Sequence, residues 1–275
     1  MINKISFSFM TDMVDYLEGE LCGNIIREKW VNDRLIELDS DAAELGTYFE
    51  WYFTLLVTGK GSLPKNGQVP QRKMYANGSK PLVDYSRAEN NALRLKGYFE
   101  NMGLKIISAG KKITKGRFEG TIDLICECTK DVDFGNGTKW ATGLIIVIDL
   151  KYSGLIEDRW KKFGWSGMLE PGAHIQKMYH GKQAKQYHHL TGFRFHFLIM
   201  SSTNENDVLF LEVPMHEDYL IDDHIKEGNM LFEKFEFEAK IGFEARPEIS
   251  VCNACPLKAE CKDKHTFPNP KTVTI

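Results

Sequence analysis

An α/β fold is what this 275-residue chain predicts, and three observations carry that expectation. Helix-forming segments fill both ends, short apolar runs of strand length fill the middle, and no internal repeat interrupts the order. The length supports one substantial core with at most a small appended lobe. A composition of 43% hydrophobic and 27% charged residues is ordinary for a folded protein.

Taken in order, Asp41 to Leu56 holds a single helix breaker, Gly46, and reads as a helix. Gly59 to Pro81 is rich in Gly, Pro, Asn and Lys and reads as a long loop or hairpin excursion. Ser86-Arg-Ala-Glu89 has the spacing of a capping box, in which a hydroxyl and a carboxylate satisfy opposite ends of the first helical turn. Short apolar runs follow at Lys105–Ala109, Arg117–Cys128 and Leu144–Tyr152, with turn chemistry from Asp131 to Gly137. Gly143-Leu-Ile-Ile-Val-Ile-Asp149 is apolar on both faces, as a central strand covered on two sides must be. Gly181 to Leu190 reads as helix, Phe193–Met200 and Val208–Val213 as two more strands, and Asp218–Lys240 as a closing helix. Packing alone explains the apolar spacing of these last three.

The formal net charge is −3, so no global field steers the protein to nucleic acid, and any such site has to be a local patch. No apolar run is long enough to span a bilayer, and the first twenty residues lack the basic flank and apolar core of a signal peptide. A cytoplasmic protein with no membrane partner is expected. Six cysteines in that compartment point to thiols or metal ligands rather than disulfides.

The chemistry centres on Asp149-Leu150-Lys151. Alternation along a strand puts Asp149 and Lys151 on one side and Leu150 on the other. Asp123 lies in the preceding strand, Gly120-Thr-Ile-Asp-Leu-Ile, and reaches the same place if the two strands pair. Two carboxylates can then share a divalent cation, and hard oxygen ligands suit magnesium or manganese. Phosphodiester hydrolysis needs such a cation, together with positive charge near the developing negative charge, a role open to Lys151. Alone, Asp-x-Lys at a strand end is more often a solvated pair, so other segments must carry weight. One is Gln183-Ala-Lys-Gln-Tyr187, whose amide and phenol share a helix face and suit either a nucleic-acid strand or a brace for the metal site.

With Gly46-Thr-Tyr-Phe-Glu50, Gly120-Thr-Ile-Asp123, Asp149-Leu-Lys151 and Gln183-Ala-Lys-Gln-Tyr187 in this order, the chain resembles the RecB-like branch of the PD-(D/E)XK nucleases. The resemblance implies a restriction-endonuclease-like core, a central mixed sheet flanked by helices, and DNA cleavage with magnesium or manganese. It further implies a metal-site residue four positions after the first glycine, frequently His and here Glu50. That departure favours a harder, more magnesium-like site.

Cys252, Cys255 and Cys261 have chelate spacing, with a fourth ligand required from elsewhere. In the iron-sulfur subgroup of RecB-like nucleases, which includes AddB-type helicase-nucleases and CRISPR-associated spacer-processing exonucleases, one cysteine precedes the core and three follow it. Cys22 stands in that place. The resemblance thus implies a single nuclease domain over residues 1–275, in which 1–30 and 250–265 form a lobe around a [4Fe-4S] cluster that joins the chain ends. Zinc on the same four cysteines, or with His265 in place of Cys22, is the alternative. Cys126 and Cys128 share the strand face opposite Asp123 and read as core thiols.

Arg159-Trp160-Lys161-Lys162-Phe-Gly-Trp165 interleaves cations and rings, which suits single-stranded DNA through phosphate contacts and base stacking. It reads equally as a surface loop whose Trp160 and Trp165 pack inward. The expected activity is a metal-dependent deoxyribonuclease, an exonuclease on single-stranded DNA ends in recombination, repair or replication, with a helicase or integrase as possible partner. The alternatives are a CRISPR-associated spacer-processing nuclease and a catalytically silent DNA-binding scaffold subunit.

Overall fold

The computed structural model describes residues 2–34, 36, 40–64, 67–76, 78, 81–133, 139–154, 156, 175–204, 208–213, 217–245, 252 and 255–261. Two compact units divide the chain. One is Asp39–His224, and the other combines Met1–Leu38 with Ile225–Ile275.

In the first unit, α3 (Asp41–Thr58) starts where the Ser40 side chain accepts from Ala43 N–H and stops at Gly59, whose φ of 74° suits a residue without Cβ. Helix α4 covers Val83–Met102. Its entry corrects the capping-box expectation: Leu82 is the cap residue, no side chain caps the turn, and Ser86 and Glu89 lie inside the helix. Backbone pairing sets the start instead. Leu82 N–H donates to the Lys73 carbonyl beside the Met74–Pro81 bridge, while the Glu89 carboxylate accepts from Tyr48 and Arg72.

Five strands form the main sheet, β1 (Leu104–Lys115), β2 (Phe118–Cys128), β5 (Ile145–Ser153), β6 (Arg194–Ser201) and β7 (Val208–Val213), in the order β1-β2-β5-β6-β7. A two-stranded ladder, β3 (Val132–Asp133) with β4 (Lys139–Trp140), leaves the β2–β5 connection. Only the β5–β6 pair is parallel. A parallel pair needs a crossover, and α5 (Ile175–Thr191) lies within that connection. The sheet is therefore mixed and helix-flanked, a restriction-endonuclease-like core.

β1 runs six residues past Ala109, the expected end. Its lysines face solvent, so the apolar signal fades while the ladder continues through Lys115↔Phe118. Gly116, at φ 60°, supplies the positive φ that the two-residue turn needs at its first central position.

One face of the sheet builds the core. Leu124, Cys126 and Cys128 of β2, Ile146, Ile148 and Leu150 of β5, and Leu198 and Met200 of β6 pack with Phe49 and Phe53 of α3 and Leu95 and Phe99 of α4. Cys126 and Cys128 are core thiols, and burial pushes both up from the usual thiol range. The opposite face of β5 carries Asp149 and Lys151.

In the second unit, α1 (Phe7–Glu18) is capped by the Ser6 side chain, which accepts from Phe9 N–H, and ends at Gly19 with φ 88°. α2 (Gly23–Ile26) continues into a π-helical turn, Arg27–Val31. The division between units falls within α6 (Asp218–Ile241). Phe9 is fully buried, edge-on to Trp30, Phe232 and Phe235. Among the described residues no helix is long and apolar enough to cross a membrane.

Candidate active site

β2 and β5 pair antiparallel with Leu124 opposite Ile148, which brings Asp123 beside Asp149. Here the backbone ladder gives way to side chains: Leu150 N–H donates to Asp123 Oδ2 at 2.8 Å. From the crossover helix, Gln183 Nε2 donates to Asp149 Oδ1 at 2.8 Å. Lys151 Nζ stands 2.6 Å from Asp149 Oδ2, an ion pair at hydrogen-bonding distance. Each carboxylate is thereby aimed by a neutral donor, and the second oxygen of Asp149 faces the Lys151 ammonium.

Glu50 reaches the cluster from α3. Burial, then the Asp149 carboxylate, push it up to about 7, against the pull of Lys151 and a hydrogen bond from Ser62. Asp123 is raised well above the usual carboxylate range by burial, Glu50 and Asp149, with Lys151 and the Leu150 N–H opposing. Asp149 is raised by burial, opposed by Lys151 and Gln183. For Lys151, burial alone would lower the pKa, and the three carboxylates outweigh it. Three acids and one base thus hold each other in a strained charge balance that a divalent cation would relieve. The oxygen donor set fits magnesium or manganese. Among the described residues, no three His, Cys, Asp or Glu side chains already stand at metal-ligand spacing.

Tyr187 lies one helical turn beyond Gln183, and its hydroxyl donates to the Thr121 carbonyl at 2.8 Å, bracing α5 on β2. Gly120 makes that approach possible, since a Cβ there would meet Leu190 Cδ1 at 2.9 Å and Tyr187 Cε1 at 3.0 Å. Replacing Gly120 with Val should push α5 off the strand and carry Gln183 away from Asp149. The expected cost is about 1–3 kcal/mol of stability, with a larger loss of activity than for Gly120→Ala. Denaturant midpoints and cleavage rates of the two variants check this; equal, wild-type behaviour would show that the close approach is dispensable.

Two neighbours of the site escape sequence reasoning. Ser62, bonded to Glu50, is placed by its own N–H donating to Thr54 Oγ1 at 2.7 Å. His180 sits three residues before Gln183, its ring edge-on to Phe197 at 5.6 Å. Burial, then Lys151, lower its pKa to about 4, against a hydrogen bond with Gln183, so the imidazole is neutral near pH 7. The helical spacing of His180 and Gln183 was a usable signal; Ser62 offered none.

In the other unit, Cys255 is raised by burial, opposed by the Leu257 N–H, and raised further by Cys22, Cys261 and Cys252. Cys255 thus feels the other three cysteines, although among the described residues no cysteine group stands at metal-ligand spacing. Cys22 is buried, the other three are half-buried, and all four are free thiols. Asn24 Nδ2 donates to Cys261 Sγ at 3.5 Å and ties α2 to the cysteine loop. Arg159, Trp160, Lys161, Lys162, Trp165 and His265 lie outside the described residues.

Among solved structures, the fold is similar to a protein of Eubacterium rectale that carries a provisional exonuclease designation. The TM-score is 0.56 and the identity 16%, over 97% of this chain and 91% of that one. An alkaline exonuclease from Laribacter hongkongensis aligns at TM-score 0.34 and 13% identity, over 81% of this chain and 91% of that one. No family model matches the chain, and no curated protein matches it. The first likeness establishes a shared fold.

Proposed function

We propose that the chain is a magnesium- or manganese-dependent deoxyribonuclease of the RecB-like PD-(D/E)XK type, acting on free and preferentially single-stranded DNA ends. The observation that carries this reading is the grouping of Asp123, Asp149 and Lys151 on one sheet face, near enough to Glu50 to shift its pKa, with Gln183 fixing Asp149.

Glu50, Asp123 and Asp149 would hold the metal. Bound there, it supplies Lewis acidity at the phosphate and lowers the pKa of a water. The Leu150 N–H and the Gln183 amide keep the two aspartates oriented without adding charge. Lys151, held over Asp149 by charge, orients the attacking water and places its ammonium where negative charge grows on the phosphate. Neutral His180 adds no second cation to the site.

Cys22, Cys252, Cys255 and Cys261 would hold a [4Fe-4S] cluster, with zinc as the alternative occupant of the same thiolates. Its role is structural, a cross-link between distant parts of one unit. Cys255→Ala is expected to release the metal and lower the thermal midpoint by about 5 °C or more. Iron, sulfide and zinc analysis of anaerobically purified protein identifies the occupant; a stable, metal-replete Cys255→Ala would remove Cys255 from the ligand set.

The test of function is a cleavage time course on end-labelled single-stranded, double-stranded and circular DNA with magnesium, manganese or EDTA. Metal-dependent loss of linear strands, sparing circles, is the expected result. Binding without cutting under every condition would replace the nuclease by a DNA-binding scaffold subunit.

A further inference from the structure

We infer that the β1–β2 hairpin tip is a phosphate-binding arm, which holds the DNA strand several nucleotides away from the bond that is cut. This rests on the nuclease reading above and adds a contact surface to it.

Between Gly110 and Glu119 the hairpin carries Lys111, Lys112, Lys115 and Arg117 against the single carboxylate of Glu119, in a chain whose net charge is −3. All four cations are exposed. The local patch that the overall charge demands of a nucleic-acid binder is therefore present on this arm. Lys112 bridges across to Glu119 at 2.9 Å, and Lys115 Nζ donates to the His189 carbonyl at 3.0 Å, near the end of α5.

The arm is built to be stiff. Phe118 is 3% exposed and packs against the rings of His189 and His224. Tyr187 anchors the same strand at Thr121. At its inner end the hairpin abuts the site: a Cβ on Gly110 would touch Ser62, the residue bonded to Glu50. A rigid ladder thus connects the carboxylates to the cations at its tip. From Asp123 to Arg117 is six residues of strand, about 20 Å. An extended single strand covers that distance in about three nucleotides, so a bound strand has to be longer than this to run from the carboxylates past the cations. Exposed lysines at such a spacing catch backbone phosphates irrespective of sequence.

The test variant is Lys111→Gln/Lys112→Gln/Arg117→Gln, which leaves Lys115 and its anchor to His189 intact. A charge-matched control removes three exposed residues away from the tip: Lys105 and Lys130 toward the other end of the same ladder, and Lys139 in the β3–β4 ladder. Two measurements are made on each protein: binding of a fluorescent 20-nucleotide strand to metal-free protein across a salt series, and cleavage as a function of strand length with manganese.

In the hairpin variant, the slope of log affinity against log salt should shrink by about 2, with affinity down about 10- to 100-fold at moderate salt. KM should rise on long strands, while kcat and the rate on di- and trinucleotides stay at wild-type values. The control should track wild type. An unchanged salt slope, or equal loss in variant and control, overturns the arm. If wild type binds salt-dependently but never cleaves, the nuclease reading falls and the arm stands on the slope alone. If wild type neither binds nor cleaves, both are overturned.

Discussion

Replacing Lys151 by Ala is expected to cut the cleavage rate by about 1,000-fold or more, on the scale of losing one positioned charge at a phosphoryl centre, while leaving the protein folded. Among the described residues, Lys151 is the cation that the structure places against Asp149, Asp123 and Glu50, and its side chain is 29% exposed, so truncation removes charge at the mouth of the site rather than volume from the core. The carboxylates left behind have a way to relax, because burial already biases all three toward keeping a proton. Metal affinity should not fall in this variant, since a competing cation has gone. That combination, manganese bound at least as tightly with cleavage lost, separates a catalytic lysine from a structural one; it is read by calorimetric manganese titration beside a cleavage time course. Unfolding of Lys151→Ala, or near-wild-type cleavage, would sink the assignment. Asp149→Asn is the companion change. It can keep the Gln183 hydrogen bond through its amide oxygen, and should lose metal affinity and cleavage together.

Much of this site was legible because two periodicities decide it. Strand alternation put Asp149 and Lys151 on one side with Leu150 in the core, and the fold pairs that strand with the one bearing Asp123. Helical spacing put Gln183 and Tyr187 on one face, and Tyr187 braces the strand by donating to the Thr121 carbonyl while it feels the charge of Asp149 and Asp123. Ser62 was illegible for a physical reason: it is placed by Thr54, itself fully buried in α3, so its position depends on how the chain folds back rather than on its own neighbours. The start of α4 was misread because Ser86 and Glu89 match a local cap pattern, while backbone pairing around Pro81 fixes the entry earlier. β1 outran its apolar pattern because a hairpin arm holds its ladder through backbone bonds even where its side chains face water.

Glu50→Gln tests the remaining acid through stability. Its pKa of about 7 in the fold lies above the ordinary 4.5, so between those values the native state holds a proton that the unfolded chain releases. Stability of the metal-free protein therefore falls as pH rises from about 4.5 to about 7, and stays down above that. Asp123 and Asp149, also raised, contribute with the same sign. A neutral amide that still accepts from Ser62 escapes the penalty due to Glu50. Tenfold in proton affinity is worth about 1.4 kcal/mol, so Glu50→Gln should gain up to about 3 kcal/mol over wild type in EDTA at pH 8, a gap that closes toward pH 4.5. With metal present the order should reverse: the variant loses a charged oxygen ligand, binds manganese at least 10-fold more weakly, and cleaves correspondingly slowly. Wild type, by contrast, must release a proton from Glu50 to take up metal, so its affinity should climb as pH passes through 7. Urea unfolding at pH 4.5, 6 and 8, with EDTA or manganese, reads all of this. A Glu50→Gln protein that is less stable than wild type in EDTA at pH 8 would take Glu50 out of the carboxylate cluster, and a pH-independent gain would mean that it was buried there for packing alone.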